Sequence, residues 1–220
     1  MAQQESIRSV LRGLPVLAAI PPEFDLSSAP DDPISLFSAW FRTAVEAGVR
    51  EPHAMTLSTT DSCGVPDARV LILKDIDADG WHFAISTASR KGAELAANPF
   101  AALTFYWSEL VRQVRIRGQV TPDRRAVSEA DFRARSNESR ALALTRRQSQ
   151  AVDTPTDLDE AVEKAHRDLQ VDPDLVPAEW VSYAVRPQSV EFWQADSARR
   201  HRRLNYERAP HGWTRSVLWP

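Results

Sequence analysis

Five short runs with a period of two occupy residues 54–120 and constrain the fold of this chain more than any other feature. They read AMTLSTT, ARVLILKDID, WHFAIS, AALTFYW and VRQVRIRGQV, and turn-forming stretches such as DSCGVPD and DADG separate them. Alternating apolar and polar residues are typical of β-strands, whose side chains point to opposite faces in turn. One short helical segment, SRKGAELAANP, interrupts the series. This spacing predicts an antiparallel barrel or sandwich rather than alternating β-α-β units.

Helical segments flank these strands and are expected to belong to the same domain. The stretch DPISLFSAWFRTAVEAGVREP predicts a helix that begins near Pro33 and ends near Gly48, because its apolar residues recur on one face. Residues 123–170 are helix-forming in two or three pieces, and two last strands, WVSYAVRP and SVEFWQ, follow. We therefore expect an extended or mobile arm over 1–32 and a single domain over 33–220. The fold class is mainly β with peripheral helices.

Charge and cysteine content argue against several classes of function. The net charge of −3 gives no overall attraction to nucleic acid or to anionic lipid. Cys63 is the only cysteine, which excludes an intrachain disulfide and a cysteine-rich metal site and fits a cytoplasmic protein. The five histidines lack ligand spacing, so no metal is expected. The apolar patch LPVLAAI is too short to span a membrane, so no membrane partner is expected.

Cationic residues beside the strands are the remaining candidates for chemistry. Arg69 and Lys74 flank the run ARVLILK, five residues apart and thus expected on opposite faces of one strand. Ser89, Arg90 and Lys91 stand at the start of the short helix, where unpaired N–H groups and two cations would hold a phosphate. Taken alone, these three residues are better explained by a serine N-cap followed by solvated charges.

The remaining candidates are amide, aromatic and basic residues near the strands. Gln113 in RQV and Gln148 in RRQSQ can both donate and accept hydrogen bonds, as a heteroaromatic ring requires. In isolation each glutamine is better explained as a half-exposed polar residue, and a tryptophan such as Trp193 in VEFWQ is more often a core residue than part of a cofactor site. The run RRHRRLNYER at 199–208 could be a nucleic-acid patch, a solvated surface or the anion-binding part of a site. The choice among these alternatives depends on the joint occurrence of the cationic, amide and aromatic residues in one chain.

The motifs RVLILK, SRK, RQV, RQS and VEFWQ, in this order, resemble those of the pyridoxine/pyridoxamine 5′-phosphate oxidase family. The resemblance runs from about Pro33 to Pro220, and the terminal EFWQ-x4-R-x-H-x-R is its most diagnostic piece. It implies an antiparallel FMN-binding split β-barrel and a homodimer in which each flavin lies between two subunits. It also implies hydride transfer from a substrate carbon to the flavin, followed by reoxidation by O2 to give hydrogen peroxide.

The resemblance also assigns roles to individual residues. The positions that correspond to FMN contacts in the family are Arg69, Val70, Leu71, Ile72, Lys74, Arg90, Lys91, Gln113, Gln148, Ser149, Trp193 and Arg203. The positions that correspond to substrate contacts are Lys74, Asp131, Arg135, Ser139, Arg199 and His201. Of the second set, Arg199 and His201 would lie at the reacting ring and are the candidate catalytic residues. The assignment of Arg90 and Lys91 to the FMN phosphate agrees with the preference of a phosphate monoester for two or more cations.

Several departures from the family pattern bear on the substrate. Asp131 stands where the vitamin oxidases carry a tyrosine, and a carboxylate there would repel a substrate phosphate. Ile85 replaces a threonine that contacts the FMN phosphate, and Arg200 and Arg202 are additions within the signature. The stretches PPEF, GVREPHAMTLST, STASRKGAEL and HRRLNYER resemble the phenazine-biosynthesis branch of the family, which aromatises reduced tricyclic carboxylates.

The leading expectation is an FMN-dependent oxidase that acts with O2 on a small, anionic, reduced heteroaromatic substrate of natural-product biosynthesis. One alternative is a pyridoxine/pyridoxamine 5′-phosphate oxidase that makes pyridoxal 5′-phosphate. A second alternative is a non-catalytic flavin-binding split barrel whose substrate face has decayed, which Asp131 and Arg202 would suit. Nucleic-acid binding through RRHRR is the least favoured reading, because no recognition helix or aromatic-interleaved basic strand accompanies the run.

Overall fold

The computed structural model describes residues 6–220, so the first five residues of the predicted arm lie outside the described residues. Within this part of the chain, nine strands form one sheet in the order β2-β1-β5-β6-β7-β4-β3, and β8 pairs with β7 and β9. Every pairing is antiparallel, as the alternating runs predict. The strands are β1 (Ala54–Thr60), β2 (Pro66–Ile72), β3 (Asp75–Asp77), β4 (Gly80–Ser86), β5 (Phe100–Trp107), β6 (Arg112–Pro122), β7 (Trp180–Gln194), β8 (Arg202–Ala209) and β9 (Gly212–Val217).

Six α-helices accompany the sheet in the described chain. They are α1 (Ile7–Gly13), α2 (Pro33–Glu46), α3 (Arg90–Ala97), α4 (Arg125–Arg133), α5 (Asn137–Leu144) and α6 (Pro155–Val171). The last three form the helical insert and have small apolar clusters of their own, around Phe132 and Trp180 and around Ala165 and Leu169. Between residues 6 and 220, none of the helices has both the length and the apolar character needed to cross a membrane.

The main core lies between α2 and the sheet. Asp32 caps the helix by accepting hydrogen bonds from two backbone N–H groups, and Gly48 follows its end with a positive φ of 71°. Phe37 is fully buried on the inner face of α2, with its ring centroid 5.0 Å from that of Phe105 and 5.5 Å from that of Trp81. Truncating such a residue to alanine typically costs about 3–5 kcal/mol, so this contact fixes α2 against the sheet.

The two predicted last strands are in fact one strand of 15 residues, β7. Residues 180–185 of β7 pair with β4, and residues 189–194 pair with β8. Strand β6 pairs with β7 between Tyr183 and Gln194. Pro187 suggested a break, but it lies beside a β-bulge where the register with β6 shifts after Arg117. A Cβ atom on Gly118 would lie 1.9 Å from the Arg186 carbonyl oxygen, so this close approach requires glycine.

The run ARVLILKDID was predicted as one strand, and this was wrong. Strand β2 ends at Ile72, and β3 begins at Asp75 on the far side of the sheet. The N–H of Leu73 still donates to the His53 carbonyl beside β1, whereas the N–H of Lys74 donates to the His82 carbonyl in β4, at 2.9 and 2.8 Å. The chain therefore changes partner strands at these two residues. Arg69 and Lys74 consequently do not lie on opposite faces of one strand.

The predicted N-terminal arm carries a helix and a fixed segment. None of the seven residues of α1 is buried in the described chain. In contrast, residues 22–30, which we call the strap, are held by side chains of β6 to β9. The donor and acceptor pairs are Gln194 to the Pro22 carbonyl (2.9 Å), Arg112 to the Glu23 carbonyl (3.3 Å), Arg202 to the Phe24 carbonyl, Arg215 to the Ala29 carbonyl and Tyr206 to the Pro30 carbonyl (2.7 Å).

Candidate functional site

The first group of predicted site residues lies at the N-terminus of α3. The Ser89 hydroxyl caps the helix by accepting a hydrogen bond from the Gly92 N–H at 3.3 Å. Arg90 and Lys91 therefore occupy the first turn, where the helix has unpaired N–H groups and positive dipole character. A Cβ atom on Gly92 would lie 2.4 Å from the Thr87 carbonyl oxygen, so the helix start packs tightly on the end of β4. This local geometry suits an anion.

A buried carboxylate, Glu94, organises the arginines of this region. Its Oε2 accepts hydrogen bonds from the Thr59 hydroxyl at 2.5 Å and from Arg69 at 3.0 Å, and its Oε1 accepts one from Arg90 at 3.0 Å. Burial alone would raise the pKa of Glu94, but these hydrogen bonds hold that pKa below its ordinary value. We call Thr59, Arg69, Arg90 and Glu94 the Glu94 cluster. Sequence reasoning missed Glu94, although its spacing of four from Arg90 was an available signal.

Lys91 differs from its arginine neighbours because no carboxylate in residues 6–220 lies within ion-pair distance of its ammonium group. Burial, followed by the nearby charge of Arg69, lowers the pKa of Lys91 from its ordinary value. Lys91 lines a cavity of about 520 Å³ between α3, α5 and α6, together with Gln148 and Ser149. The structure thus brings three of the predicted cofactor-binding residues to one cavity, which Arg147, Asp153 and Asp157 also line.

Gln148 presents a hydrogen-bond acceptor at this cavity. Its Nε2 donates to the carbonyls of Leu142 and Ala143 at 3.0 and 3.2 Å, which fixes the amide against the end of α5. Its Oε1 is buried and finds no hydrogen-bond partner within the described chain. Ser149 follows in the left-handed conformation, with φ of 70°. A cation, an unpartnered acceptor and a helix N-terminus form a donor and acceptor set that fits a phosphate-bearing, amide-rich ring such as a flavin nucleotide.

A second group lies on the sheet itself. Gln113 on β6 is the register partner of Trp193 on β7, which in turn is the register partner of Arg203 on β8. Register partners share a face of the sheet, so these three side chains form a continuous row, which we call the Trp193 row. The centroid of the His201 ring lies 4.9 Å from that of Trp193. The row is therefore an aromatic and polar wall with an imidazole at one end.

A second buried carboxylate, Glu191, lies beside the Trp193 row. Its Oε1 accepts a hydrogen bond from Arg203 at 2.8 Å, and its Oε2 accepts one from Arg115. Burial alone would raise the pKa of Glu191, but the hydrogen bonds from Arg203 and Arg115 lower it below its ordinary value. Arg203 also donates to the Trp219 carbonyl at 2.7 Å. Sequence reasoning missed Glu191, because no local pattern distinguishes a buried strand glutamate from an exposed one.

The residues after the Trp193 row separate into different roles. The Nδ1 atom of His201 accepts a hydrogen bond from the Asp196 N–H at 3.1 Å, so Nε2 carries the proton of the neutral ring. Arg199 is exposed and adopts a positive φ of 62° in the loop before β8. Arg202, one of the additions within the signature, donates to the strap at Phe24. Nothing in the structure explains the other addition, Arg200.

The predicted substrate residues surround Trp180 at the start of β7. The ammonium group of Lys74 lies 3.1 Å from Asp131 Oδ1, and the Trp180 Nε1–H donates to Asp131 Oδ2 at 2.9 Å. The guanidinium of Arg135 lies over the Trp180 ring at 4.3 Å and donates to the Ser139 carbonyl at 3.4 Å. Burial lowers the pKa of Arg135, and the charge of Asp131 opposes this shift. We call these residues the Asp131 cluster.

The structure leaves the predicted site residues in three separate groups. Within residues 6–220, no hydrogen bond, ion pair or ring contact joins the Lys91 cavity, the Trp193 row and the Asp131 cluster. The run from Val70 to Ile72 lies on β2, an edge strand that pairs with β1 alone. Ile85 is buried in the core of the sheet. The same described residues contain no group of three His, Cys, Asp or Glu side chains that could hold a metal ion.

Two family models match parts of this chain. Residues 41–166 match the family model described as pyridoxamine 5′-phosphate oxidase. The chain belongs to the pyridoxamine 5′-phosphate oxidase family. Residues 180–220 match a second model, the pyridoxine 5′-phosphate oxidase C-terminal dimerisation region, which contains β7, β8 and β9 with Trp193 and Arg203 of the Trp193 row. The family resemblance expected from the ordered motifs is confirmed.

Individual relatives agree with this assignment. The chain is 43% identical over 199 residues to a pyridoxine/pyridoxamine 5′-phosphate oxidase of Burkholderia multivorans, covering 89% of this chain and 92% of that protein. It is 42% identical over 199 residues to the enzyme of the same name from Pseudomonas fluorescens, covering 88% and 91%. Among solved structures, it is similar to PhzG from Burkholderia lata in complex with tetrahydrophenazine-1-carboxylic acid, with 33% identity, a TM-score of 0.85 and coverage of 91% and 99%.

A pyridoxamine 5′-phosphate oxidase-related, FMN-binding protein from Nostoc punctiforme shares the fold at 18% identity, with a TM-score of 0.65 and coverage of 90% and 100%. The predicted split β-barrel and the predicted class, an FMN-dependent oxidoreductase, are confirmed by the family and structure matches.

Proposed function

We propose that this protein is a homodimeric FMN-dependent oxidase of a small, reduced heteroaromatic carboxylate, in the manner of natural-product biosynthesis of the phenazine type. Bound FMN would supply the hydride acceptor and pass the electrons to O2, with formation of hydrogen peroxide. The protein would supply binding, orientation and electrostatics. We place the enzyme in the cytoplasm, where its single cysteine, the exposed Cys63, would stay reduced.

The ion pair between Lys74 and Asp131 is the observation that carries the substrate class. Two cations, Lys74 and Arg135, and one carboxylate, Asp131, surround Trp180, so the cluster has one net positive charge. A phosphate monoester carries about −1.5 to −2 charges at neutral pH, whereas a carboxylate carries one. A cluster with one net positive charge matches a carboxylate better than a phosphate. The Asp131 cluster therefore favours a substrate like the carboxylic acid bound by the PhzG relative.

The residues that would hold FMN divide between two groups. Lys91 and the N-terminus of α3 would bind the phosphate, and the Gln148 and Ser149 loop would complete that end of the site. The Trp193 row would contact the isoalloxazine ring. These two groups do not meet within the described chain, and two of the three residues of the row, Trp193 and Arg203, lie in the region matched as a dimerisation region. A second subunit that brings its own row to the Lys91 cavity would complete each site.

His201 and Arg199 are the candidate catalytic residues, and their loop precedes β8. With Nδ1 bound to the Asp196 N–H, the His201 ring would direct an Nε2–H donor towards a substrate beside Trp193. The exposed guanidinium of Arg199 would donate hydrogen bonds to the substrate ring. Lys74, Arg135 and Ser139 would hold the substrate carboxylate.

A pyridoxine/pyridoxamine 5′-phosphate oxidase is the second candidate function. The observation that favours it is the identity of 43% to a relative of that name. Lys74, Arg135 and Ser139 of the substrate set are also retained. Under this alternative, Asp131 would weaken phosphate recognition without abolishing it.

Turnover with two probes distinguishes these candidates. The purified protein should release FMN on denaturation and consume O2 faster with tetrahydrophenazine-1-carboxylic acid than with pyridoxamine 5′-phosphate. The Asp131→Asn variant should lower the KM for pyridoxamine 5′-phosphate, because it removes the carboxylate that neutralises Lys74. Faster turnover of the phosphate ester by the unaltered protein would replace our proposal with the second candidate. Colourless protein that binds no added FMN would contradict both.

A further inference from the structure

His82 is a buried histidine that the proposed reaction does not use. It lies on β4, where only 7% of the residue surface is exposed. Its Nδ1 lies 2.9 Å from Asp123 Oδ2, and its Nε2 lies 2.9 Å from Asp77 Oδ1. Both carboxylates lie on other elements, since Asp77 is on β3 and Asp123 joins β6 to α4.

These two contacts define the protonation state of the ring. An ionised carboxylate only accepts hydrogen bonds, so both ring nitrogens of His82 must donate. A neutral imidazole has one N–H, whereas an imidazolium has two. The observed geometry is therefore that of a positively charged His82 between Asp77 and Asp123.

His82 is connected to both partners of the Lys74 and Asp131 ion pair. Its backbone carbonyl accepts the N–H of Lys74 at 2.8 Å, at the point where the chain leaves β2 for β3. Its side chain binds Asp123, which stands two residues before α4 and also accepts a hydrogen bond from the Ser182 hydroxyl at 2.7 Å. Helix α4 carries Asp131 near its C-terminal end. His82 therefore connects the segment that carries Lys74 to α4, the helix that carries Asp131.

We propose that His82, in its imidazolium form, is the positioning residue that holds Lys74 and Asp131 at ion-pair distance. Loss of the N–H that binds Asp123 would break the hydrogen bond from β4 to the segment before α4, and the start of α4 would then be held to β7, through Ser182, but not to β4. The ion pair at the far end of α4 would then open. The consequence for catalysis rests on the proposed function, in which the Asp131 cluster contacts the substrate, but the positioning itself does not.

The surrounding charges determine the direction of the pH dependence. The other charged groups that line the cavity of about 580 Å³ beside His82 are Asp75, Asp79, Arg124 and Arg186, and Arg186 pairs with Asp79 at 2.9 Å. Burial lowers the pKa of His82, but the hydrogen bonds that it donates to Asp123 and Asp77 outweigh this effect and raise that pKa above its ordinary value. The link is therefore complete at acidic pH and is lost as the pH rises through the raised pKa.

Lysine footprinting tests the link directly, because the chain has three lysines, at positions 74, 91 and 164. The FMN-loaded protein is acylated briefly with an amine-selective reagent at pH values from about 6 to about 9, and each lysine is quantified by mass spectrometry. Lys164 is well exposed on α6 and serves as the internal standard for the reagent. The measured quantity is the labelling of Lys74 divided by that of Lys164.

We expect this ratio to be low near pH 6 and to rise about fivefold through the raised pKa of His82, since an ion pair of about 1 kcal/mol protects by that factor. His82→Gln should show the raised ratio at every pH, and Asp123→Asn should move the rise to lower pH. Asp131→Asn defines the ratio of an open pair. The folded state of each variant is checked by its thermal melting curve.

A ratio that is unchanged in folded His82→Gln and folded Asp123→Asn overturns the proposal. With tetrahydrophenazine-1-carboxylic acid as the turnover probe, His82→Gln should raise KM while kcat stays near that of the unaltered enzyme. An unchanged KM together with the expected footprint would leave the positioning role in place and contradict the proposed substrate contact instead. Failure of the proposed function and failure of the positioning role are therefore distinguishable.

Discussion

The Glu94 cluster and the surroundings of Glu191 both pair a buried carboxylate with arginines, but they differ in the cations that lie beside them. In each region one buried glutamate accepts hydrogen bonds from two arginines, and these bonds hold the pKa of the carboxyl low. At Glu191 both arginines pair with the same carboxylate. Beside Glu94, a third cation, Lys91, has no carboxylate within ion-pair distance among residues 6–220 and lines a cavity. From this difference we propose that the cation without an ion-pair partner, rather than the density of arginines, would mark an anion site.

The largest expected effect concerns Lys91. Lys91→Ala should raise the Kd for FMN about 10- to 100-fold, the range of a hydrogen bond to a charged group. Titration of the deflavinated protein by flavin fluorescence quenching measures it. Lys164→Ala, on exposed α6, is the matched control and should leave the Kd unchanged. A Lys91→Ala variant with unaltered affinity would break the comparison, because the unneutralised cation would then have no ligand role.

Removing Glu191 should lower the stability of the fold. Glu191→Ala leaves Arg115 and Arg203 without a carboxylate, and we expect a loss of about 1–2 kcal/mol in the free energy of unfolding, reduced by their partial exposure. Urea denaturation measures this loss, with Glu207→Ala on the exposed part of β8 as the control. A loss no larger than that of the control would show that the Glu191 ion pairs contribute nothing.

Both regions should make the fold sensitive to acid. Because the pKa values of Glu94 and Glu191 are lower in the folded chain, their contribution is complete above the unfolded pKa and is lost as the pH falls through the folded pKa. Urea unfolding at about pH 6 and about pH 4 should show a smaller loss of stability for Glu94→Gln and Glu191→Gln than for the unaltered chain. Equal losses in all three proteins would contradict the lowered pKa values.

The smallest effect is expected at Arg90. Its side chain is 63% exposed and it pairs with Glu94 at a spacing of four on α3, an arrangement worth roughly 0.3–0.5 kcal/mol. Arg90→Ala should therefore change the Kd for FMN by less than about threefold, far less than Lys91→Ala. Side-by-side flavin titrations decide this. Equal effects of the two substitutions would mean that both cations bind the phosphate, as the family resemblance alone implies.

Sequence periodicity predicted most of the fold. It failed where contacts between residues far apart in the chain determine the structure. The alternation in VRQVRIRGQV predicted β6 correctly, and the Ser89 cap predicted the start of α3. Strand β8 was hidden in a basic run, although buried Leu204 and Tyr206 alternate within it. The continuity of β7 across Pro187 depends on a bulge in its partner strand, which no local pattern reveals.

The candidate site shows the same division. Ordered motifs were enough to select Lys91, Gln148 and Trp193, because each residue type matches one part of a flavin nucleotide. The contacts around these residues were not predictable from local sequence. Glu94 accepts a hydrogen bond from Thr59, 35 positions away, and Glu191 accepts one from Arg115, 76 positions away. Arg202 was expected to bear on substrate specificity, and it instead holds the strap. A side chain can be assigned from a motif, but its counter-charge depends on packing.

The strap has a consequence for how this chain can diverge from its relatives. All five of its attachments described above end on main-chain carbonyls, which every amino acid possesses. Substitution along residues 22–30 leaves those acceptors in place, so the residue types of this segment are constrained mainly where its side chains enter the core, at Phe24, Leu26 and Ala29. Its length is constrained throughout, because one inserted or deleted residue would move the carbonyls out of register with Gln194, Arg202 and Tyr206. We therefore expect the length of this segment to vary less among relatives than the residues at its exposed positions.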